Sequence, residues 1–325
     1  NDFSSILVSS INIKDLKYLR EVQDICLEKN IELKIISGLL NTKTSLEAIR
    51  LFISNKKNIH VIYAASIIHA KSRKQFWEYN YETIKGFLKT INKNNLSKFV
   101  YISSNSPFGF NNFGKKFDEL SNYSPIGNYG KTKMAAEKFL KANLKKDVLK
   151  IIRPPWFHGE NMPDRQKLFY KKVVNGKFPL ILPGKNMRSI VNTIDLSKAA
   201  LNLLCLPSRH SIYCICEPES ISMMNFIKII QKTFDKKIAK NKKIYKNKRT
   251  LRAIYLPPFT SSIFSLIDKL IQRLGLYSTI IHVLSELGMN IEMSSDRYCK
   301  EFPNHKFYSI KESILEELEE AINVK

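Results

Sequence analysis

The chain predicts an α/β fold, a doubly wound parallel sheet with a smaller C-terminal substrate domain, and three observations predict it. Apolar, β-branched runs at 61–66, 99–104 and 148–153 alternate with helical stretches such as 131–143, the rhythm of repeated strand–helix units. The middle run ends in hydroxyls and a Pro/Gly turn, and in open parallel sheets ligands sit beyond the carboxyl ends of the strands. After residue 158 the elements shorten, and Pro183-Gly-Lys185 and Pro207-Ser-Arg209 punctuate them. At 325 residues, one sizeable domain and a smaller one is the natural partition.

Each element has its own justification. Ser5-Ile-Leu-Val-Ser-Ser10 is a short β-branched run, and Asn30-Ile-Glu-Leu-Lys-Ile-Ile-Ser-Gly38 is another, closed by the first glycine of the chain. Residues 13–28 between them are candidates for a helix. Val61-Ile-Tyr-Ala-Ala-Ser66 passes from strand into a loop of small residues, and Asn80 opens a helical segment. Lys98-Phe-Val-Tyr-Ile-Ser-Ser-Asn-Ser-Pro-Phe-Gly109 is a buried strand that presents serines at its carboxyl end. Further on, Ser222 is an N-cap for a helix over 222–234. Directly after Leu256-Pro-Pro258, residues 263–274 carry apolar side chains at helical spacing, and Asp268, Lys269 and Arg273 interrupt them well short of a membrane span. That helix covers the substrate, binds a partner subunit or lies on a membrane surface, with core packing the default.

The chemistry is densest at Tyr129-Gly-Lys-Thr-Lys133. A phenol and an ammonium four residues apart share one helix face. A fixed cation beside a tyrosine favours the phenolate and moves its pKa toward neutrality, which makes the pair a general acid/base. By itself the pattern is a common accident of Lys-rich helices. Here Ser104 stands at the carboxyl end of the preceding strand, 25 residues upstream of Tyr129, where a substrate-facing hydroxyl belongs. Ser103 and Ser106 are weaker candidates for the same role.

With these residues in order, the chain resembles the short-chain dehydrogenase/reductase superfamily, specifically its extended branch, the NAD-dependent epimerase/dehydratase family. Residues 61–66, 80–88, 99–109, 129–133, Ile151-Ile-Arg-Pro-Pro-Trp-Phe-His-Gly159 and Arg188-Ser-Ile-Val-Asn-Thr-Ile-Asp195 follow the family's sequence of motifs, and the C-terminal 302–318 resembles its closing turn and helix. The resemblance implies a Rossmann-like NAD(P)-binding domain over 1–157, rejoined at about 188–217, and a mainly substrate-binding domain over 158–325. It implies NAD or NADP as cofactor, held by Ala64, Ala65, Ser66, Tyr129, Lys133, Arg153 and Pro154. Tyr129 would exchange the proton, Lys133 lower its pKa and hold the nicotinamide ribose, Ser104 stabilise the substrate oxygen, and Asn80 link Lys133 to solvent through a water or backbone group. Ser104, Asn105, Trp156 and Arg188 would face the substrate, and His158 lies near enough to be considered.

Two departures bear on function. The family opens with a strand, a glycine-rich turn and a helix, yet no glycine precedes Gly38. The preferred reading makes 5–10 and 30–38 the second and third strands of an N-terminally incomplete fold. The rival makes 6–8 the first strand and 13–28 the first helix, with the glycines lost. On the preferred reading Leu39 stands where the family's adenine-contacting Asp is usual. Second, Trp156 stands where sugar-nucleotide enzymes of the family commonly carry Asn, and a large apolar indole points to a less polar substrate unless it packs beneath the loop. The expected function is therefore an NAD(P)-dependent oxidoreductase transferring hydride at a secondary alcohol or ketone. A sugar-nucleotide epimerase or dehydratase is the alternative, and a non-catalytic NAD(P)-binding regulator the third reading.

Composition adds limits. The net charge of +24 is mostly Lys spread among Asn and Ile, as AT-rich coding produces, so no specific nucleic-acid partner is expected. Lys236, Lys237, Lys240, Lys242, Lys243, Lys246, Lys248 and Arg249 form the one dense cluster, read as a solvated loop. Five cysteines and six histidines show no metal-ligand spacing, which predicts reduced thiols, no metal and a cytoplasmic setting. The partner expected is a small-molecule substrate, with no transmembrane segment and a homodimer left open.

Overall fold

In the computed structural model the strands and helices alternate from the start, because each β-branched run is followed by a stretch with one apolar face. The structure describes residues 3–10, 19–40, 42–68, 70–159, 164–181, 183–240 and 253–323. In chain order the first half holds β1 (Ser5–Ser10), α1 (Leu19–Glu28), β2 (Glu32–Ser37), α2 (Lys43–Ile53), β3 (Ile59–Tyr63) and α3 (Arg73–Trp77). One π-helical turn, Glu78–Glu82, then leads to α4 (Thr83–Thr90), β4 (Leu96–Ile102), α5 (Gly127–Asn143) and β5 (Leu149–Arg153). Shorter pieces follow: β6 (Trp156–His158), α6 (Asp164–Val174), β7 (Pro179–Ile181), β8 (Met187–Arg188), β9 (Ile190–Asn192), α7 (Thr193–Cys205) and β10 (Ile212–Cys214). The chain ends with β11 (Ile221–Ser222), α8 (Met223–Lys240), β12 (Ile254–Leu256), α9 (Thr260–Arg273), α10 (Thr279–Glu286), α11 (Asp296–Glu301) and α12 (Ile310–Asn323).

The central sheet is parallel in the order β10-β5-β4-β3, with Tyr101 opposite Tyr63 on one side and Ile151 on the other. Strands β1 and β2 pair in parallel as a separate ladder. If β1 were the first strand of a doubly wound sheet it would pair with β3. No such ladder exists among the described residues, although the rings of Phe3 and His60 meet edge-on at 5.5 Å. Of the rival's first helix, 19–28 is helical and 13–18 lie outside the described residues.

Helices cover both faces of the sheet. Ile49, Ile84, Phe87, Ala136 and Leu140 from α2, α4 and α5 pack on one side, and Ala199, Ala200, Leu203 and Leu204 from α7 on the other. Cover on both faces encloses β5 fully along its length, its Lys150 and Arg153 included. A separate cluster joins α6, α8 and α12 through Phe169, Tyr170, Phe226, Ile230, Ile314 and Leu318. The Ser222 cap is real, its hydroxyl accepting from the Asn225 amide at 3.2 Å. Of the lysine-rich stretch, residues 241–250 lie outside the described residues. No helix among the described residues is long and apolar enough to cross a membrane.

Candidate active site

Two strand carboxyl ends converge on the start of α5. Ser66 follows β3, Ser104 and Ser106 follow β4, and Tyr129 is in the first turn of the helix. The approach depends on Gly130. A Cβ there would stand 2.5 Å from the Ser106 carbonyl, so only glycine lets the helix reach the serine loop. Gly130→Ala is expected to fold but to push Tyr129 off its partners. Turnover should then drop about tenfold or more, since small misplacements of reacting groups are costly. Steady-state kinetics beside circular dichroism would check this.

The Tyr129 phenol is within hydrogen-bonding reach of Ser66 and Ser104. Crowding by protein raises its pKa, and those two hydroxyls pull it back. Ser104 Oγ also lies 3.1 Å from Ser106 Oγ, accepts from the Ser106 amide at 3.2 Å, and contacts Asn105 Oδ1 at 3.4 Å. Lys133 is buried beneath them. Its Nζ donates to the Ile102 carbonyl at 2.7 Å and sits 4.6 Å from the centre of the Tyr101 ring. Desolvation brings its pKa down to about 7, with Glu137 opposing.

Lys133 is thus turned to the Ile102 carbonyl, and the groups that draw the Tyr129 pKa down against burial are the two serine hydroxyls.

Asn80 bonds a backbone group, that of Ile67. Its side chain accepts from the Ile67 amide (2.7 Å) and donates to the Ile67 carbonyl (2.9 Å), and reaches Thr132 Oγ1 at 3.3 Å. It therefore clamps the loop just after Ala64-Ala65-Ser66, which borders the site. The π-helical turn that contains Asn80 gives it that reach.

Arg153 is buried. Its Nε and Nη2 bind the Glu137 carboxylate at 3.2 and 2.7 Å, Nη2 also reaches Tyr123, Nη1 donates to the Glu119 carbonyl, and the guanidinium stacks 4.4 Å from the Phe108 ring. Its guanidinium is fully engaged inside the core. Ser103, a weaker candidate, belongs to the same network through a 2.6 Å bond to Glu137. Pro154 accepts from the Asn105 amide at 3.0 Å, so it shapes the serine loop from behind.

Trp156 packs edge-on against Phe169 at 5.0 Å and Phe226 at 5.9 Å, inside the helical cluster. The indole is half-buried and spends its face on this packing, which weakens the argument from it for an apolar substrate. Arg188, on β8, is nine-tenths buried and donates to the Glu286 carbonyl at the end of α10.

His158 is likewise structural. It is held between Glu217 (2.7 Å) and Glu317 (2.8 Å), and Tyr170 donates to the far oxygen of Glu317. Desolvation opposes its charge, but the two carboxylates prevail and lift its pKa to about 9. A folded-state value above the ordinary 6.5 stabilises fully below about pH 6.5 and is lost as pH rises through about 9. The melting temperature of the native chain should therefore fall more steeply over that window than that of His158→Gln, which calorimetry would show.

Sequence reasoning missed three contributors. Glu137 continues the spacing of Tyr129 and Lys133 along α5, and extending that four-residue stripe by one step would have found it. Gln272 of α9 caps α5 by accepting from the Asn128 amide at 2.8 Å. Phe76 lies between Tyr129 (6.4 Å) and Tyr277 (5.2 Å), so the α9–α10 hairpin walls the site. Those long-range partners leave no local signal.

A parallel sheet with Ser, Tyr and Lys gathered at its carboxyl edge defines a nicotinamide-dependent enzyme of the short-chain dehydrogenase/reductase type. The profile of the NAD dependent epimerase/dehydratase family matches residues 21–215, and the chain belongs to that family. It is 31% identical to the uncharacterized protein y4nL of Sinorhizobium fredii over 252 residues, 76% of this chain and 68% of that one. It is 24% identical over 170 residues to the N-acetyl-α-D-glucosaminyl-diphospho-ditrans,octacis-undecaprenol 4-epimerase of Escherichia coli O157:H7, half the length of each. Among solved structures it is similar to UDP-glucose 4-epimerase of Thermotoga maritima (TM-score 0.68, 13% identity, 97% of each chain). It is also similar to dTDP-glucose 4,6-dehydratase of Bacillus anthracis in complex with NAD (TM-score 0.67, 14% identity, 97% of this chain and 87% of that one). The fold is thus Rossmann-like and the cofactor NAD. The residues fit its nicotinamide-ribose end: Tyr129 and the buried, desolvated Lys133 stand beside the partly open Ala65–Ser66 ledge.

Proposed function

We propose that this chain is an epimerase or dehydratase acting on a sugar held through a diphosphate carrier, with NAD regenerated in each turnover. The observation that carries the reading is the Ser66–Tyr129–Ser104 cluster above Lys133, a proton-transfer device at the carboxyl edge of the sheet. When bound, NAD supplies a hydride acceptor. Tyr129 takes the proton from the sugar hydroxyl and returns it at the end of the cycle. Ser104 donates to the same oxygen while the carbonyl forms, and Ser66 keeps the phenol oriented. Lys133 would hold the cofactor's ribose, and the Asn80 clamp on Ile67 steadies the loop beside it.

The sugar reading is preferred to a general alcohol oxidoreductase because Trp156, the residue that favoured an apolar substrate, packs against Phe169 and Phe226, and because an epimerase relative and a dehydratase of similar fold act on diphosphate-linked sugars by name. Incubation with NAD and a panel of UDP-hexoses and UDP-N-acetylhexosamines tests it. Conversion with no net change in nicotinamide absorbance is expected. Absorbance that changes in step with substrate consumption would make the chain a dehydrogenase. Lys133→Met should both lower turnover and weaken NAD binding, since one side chain serves both; calorimetric titration with NAD reads the second effect.

A further inference from the structure

The apolar helix 263–274 is not core. In α9 the side chains are inverted with respect to an ordinary surface helix. Phe259, Ile263, Leu266, Leu270 and Leu274 form a stripe at intervals of three and four residues that faces solvent, with Leu266 63% and Leu274 77% exposed. The opposite face buries Ser261 and Asp268, the latter bound to His282 at 2.9 Å and to Gln272 at 2.8 Å. Across the turn Ile280 extends the stripe, 74% exposed. Of the 23 large apolar side chains exposed among the described residues, ten fall within 254–280, so this is a patch and not scatter.

Charge identifies the occupant. The acid of α9 is the buried Asp268, whereas Lys269 and Arg273 are exposed, each one turn from a stripe leucine. Beyond the turn, Arg73 donates its amide to the Gly275 carbonyl, which brings exposed Arg73 and Lys74 to the same edge. In sequence, residues 241–252 just before β12 hold six Lys or Arg and no acid. An apolar stripe bordered by cations fits the interfacial region of an anionic bilayer, where leucine and phenylalanine enter the acyl boundary and long cations reach phosphate. A second copy of this chain would bring the same cations against each other.

We infer that the α9–α10 hairpin docks this enzyme on an anionic membrane surface. The same hairpin carries Tyr277, two rings from Tyr129, and Gln272, which caps the catalytic helix. The site thus opens beside the membrane, and the diphosphate-linked sugar it takes is one whose carrier is anchored in lipid. The substrate half of this inference rests on the proposed function; the docking half does not.

Vesicle flotation without cofactor or substrate tests the docking. The native chain should float with phosphatidylcholine vesicles containing phosphatidylglycerol, and less at raised salt. Leu266→Glu/Leu270→Glu should reduce the bound fraction about tenfold or more at an unchanged melting temperature, since each leucine loses its burial in lipid. Should that variant misfold, Leu274→Ser, at the most exposed position, should still weaken binding. Native protein that stays with the aqueous phase would overturn the inference. So would equal flotation of folded Leu266→Glu/Leu270→Glu, or a dimer that this variant dissociates with no vesicle binding. Because flotation needs no turnover, its failure leaves the sugar reading standing, and failure of the sugar panel leaves docking standing.

Discussion

Tyr129→Phe should lower turnover by about 10²-fold or more while leaving the fold and NAD affinity in place. The ring stays against Phe76 and only the hydroxyl between Ser66 and Ser104 is deleted, so packing is preserved and proton transfer is not. Rapid kinetics with an accepted sugar substrate, beside titration with NAD, would show the split. Near-native turnover in the variant would remove the assignment of the acid/base, and with it the mechanism. The pH profile gives a second reading. Burial raises the phenol's pKa and the serine hydroxyls oppose it, so Ser66→Ala and Ser104→Ala should each move the acidic limb of the profile, where the phenol must lose its proton, upward.

Arg153→Met should destabilise the chain by about 3–5 kcal/mol, a large fraction of the margin of a typical domain. The change leaves Glu137 buried with its main partner gone. Desolvation alone would push that carboxyl up; the bonds from Arg153, Ser103 and Tyr123 more than offset it and hold it below the usual carboxylate range. A depressed value stabilises above the ordinary 4.5 and is lost as pH falls through the folded-state value, so the gap between native and variant chains should narrow in acid. Urea titrations across pH would show it. The double change Arg153→Met/Glu137→Leu should recover most of the loss, because removing both partners of a buried pair is far less costly than removing one. If the single change were nearly silent, the network would be incidental to the fold.

The contrast between Tyr129 and Arg153 shows what local sequence conveys. Tyr129, Lys133 and Ser104 were legible because helix periodicity and strand polarity are local, and the order of motifs fixed which edge of the sheet they share. Arg153, Trp156 and His158 follow one another on a loop that resembles a ligand loop, and each instead meets a distant partner: Glu137, Phe169, and the Glu217–Glu317 pair. Nothing near them in sequence announces those partners. In the other direction, Glu137 was recoverable from α5 alone, whereas Gln272 on Asn128 joins residues 144 apart.

By itself, then, the sequence determined the parallel α/β architecture and placed Ser104, Tyr129 and Lys133 together at one edge of it, because each depends on residue spacing within one element. Tertiary structure decided which polar side chains remain at the site and which way α9 turns its apolar stripe. Spacing shows that a helix has an apolar face; only the packing of Asp268 onto His282 and of Gln272 onto α5 shows that this face is the outer one.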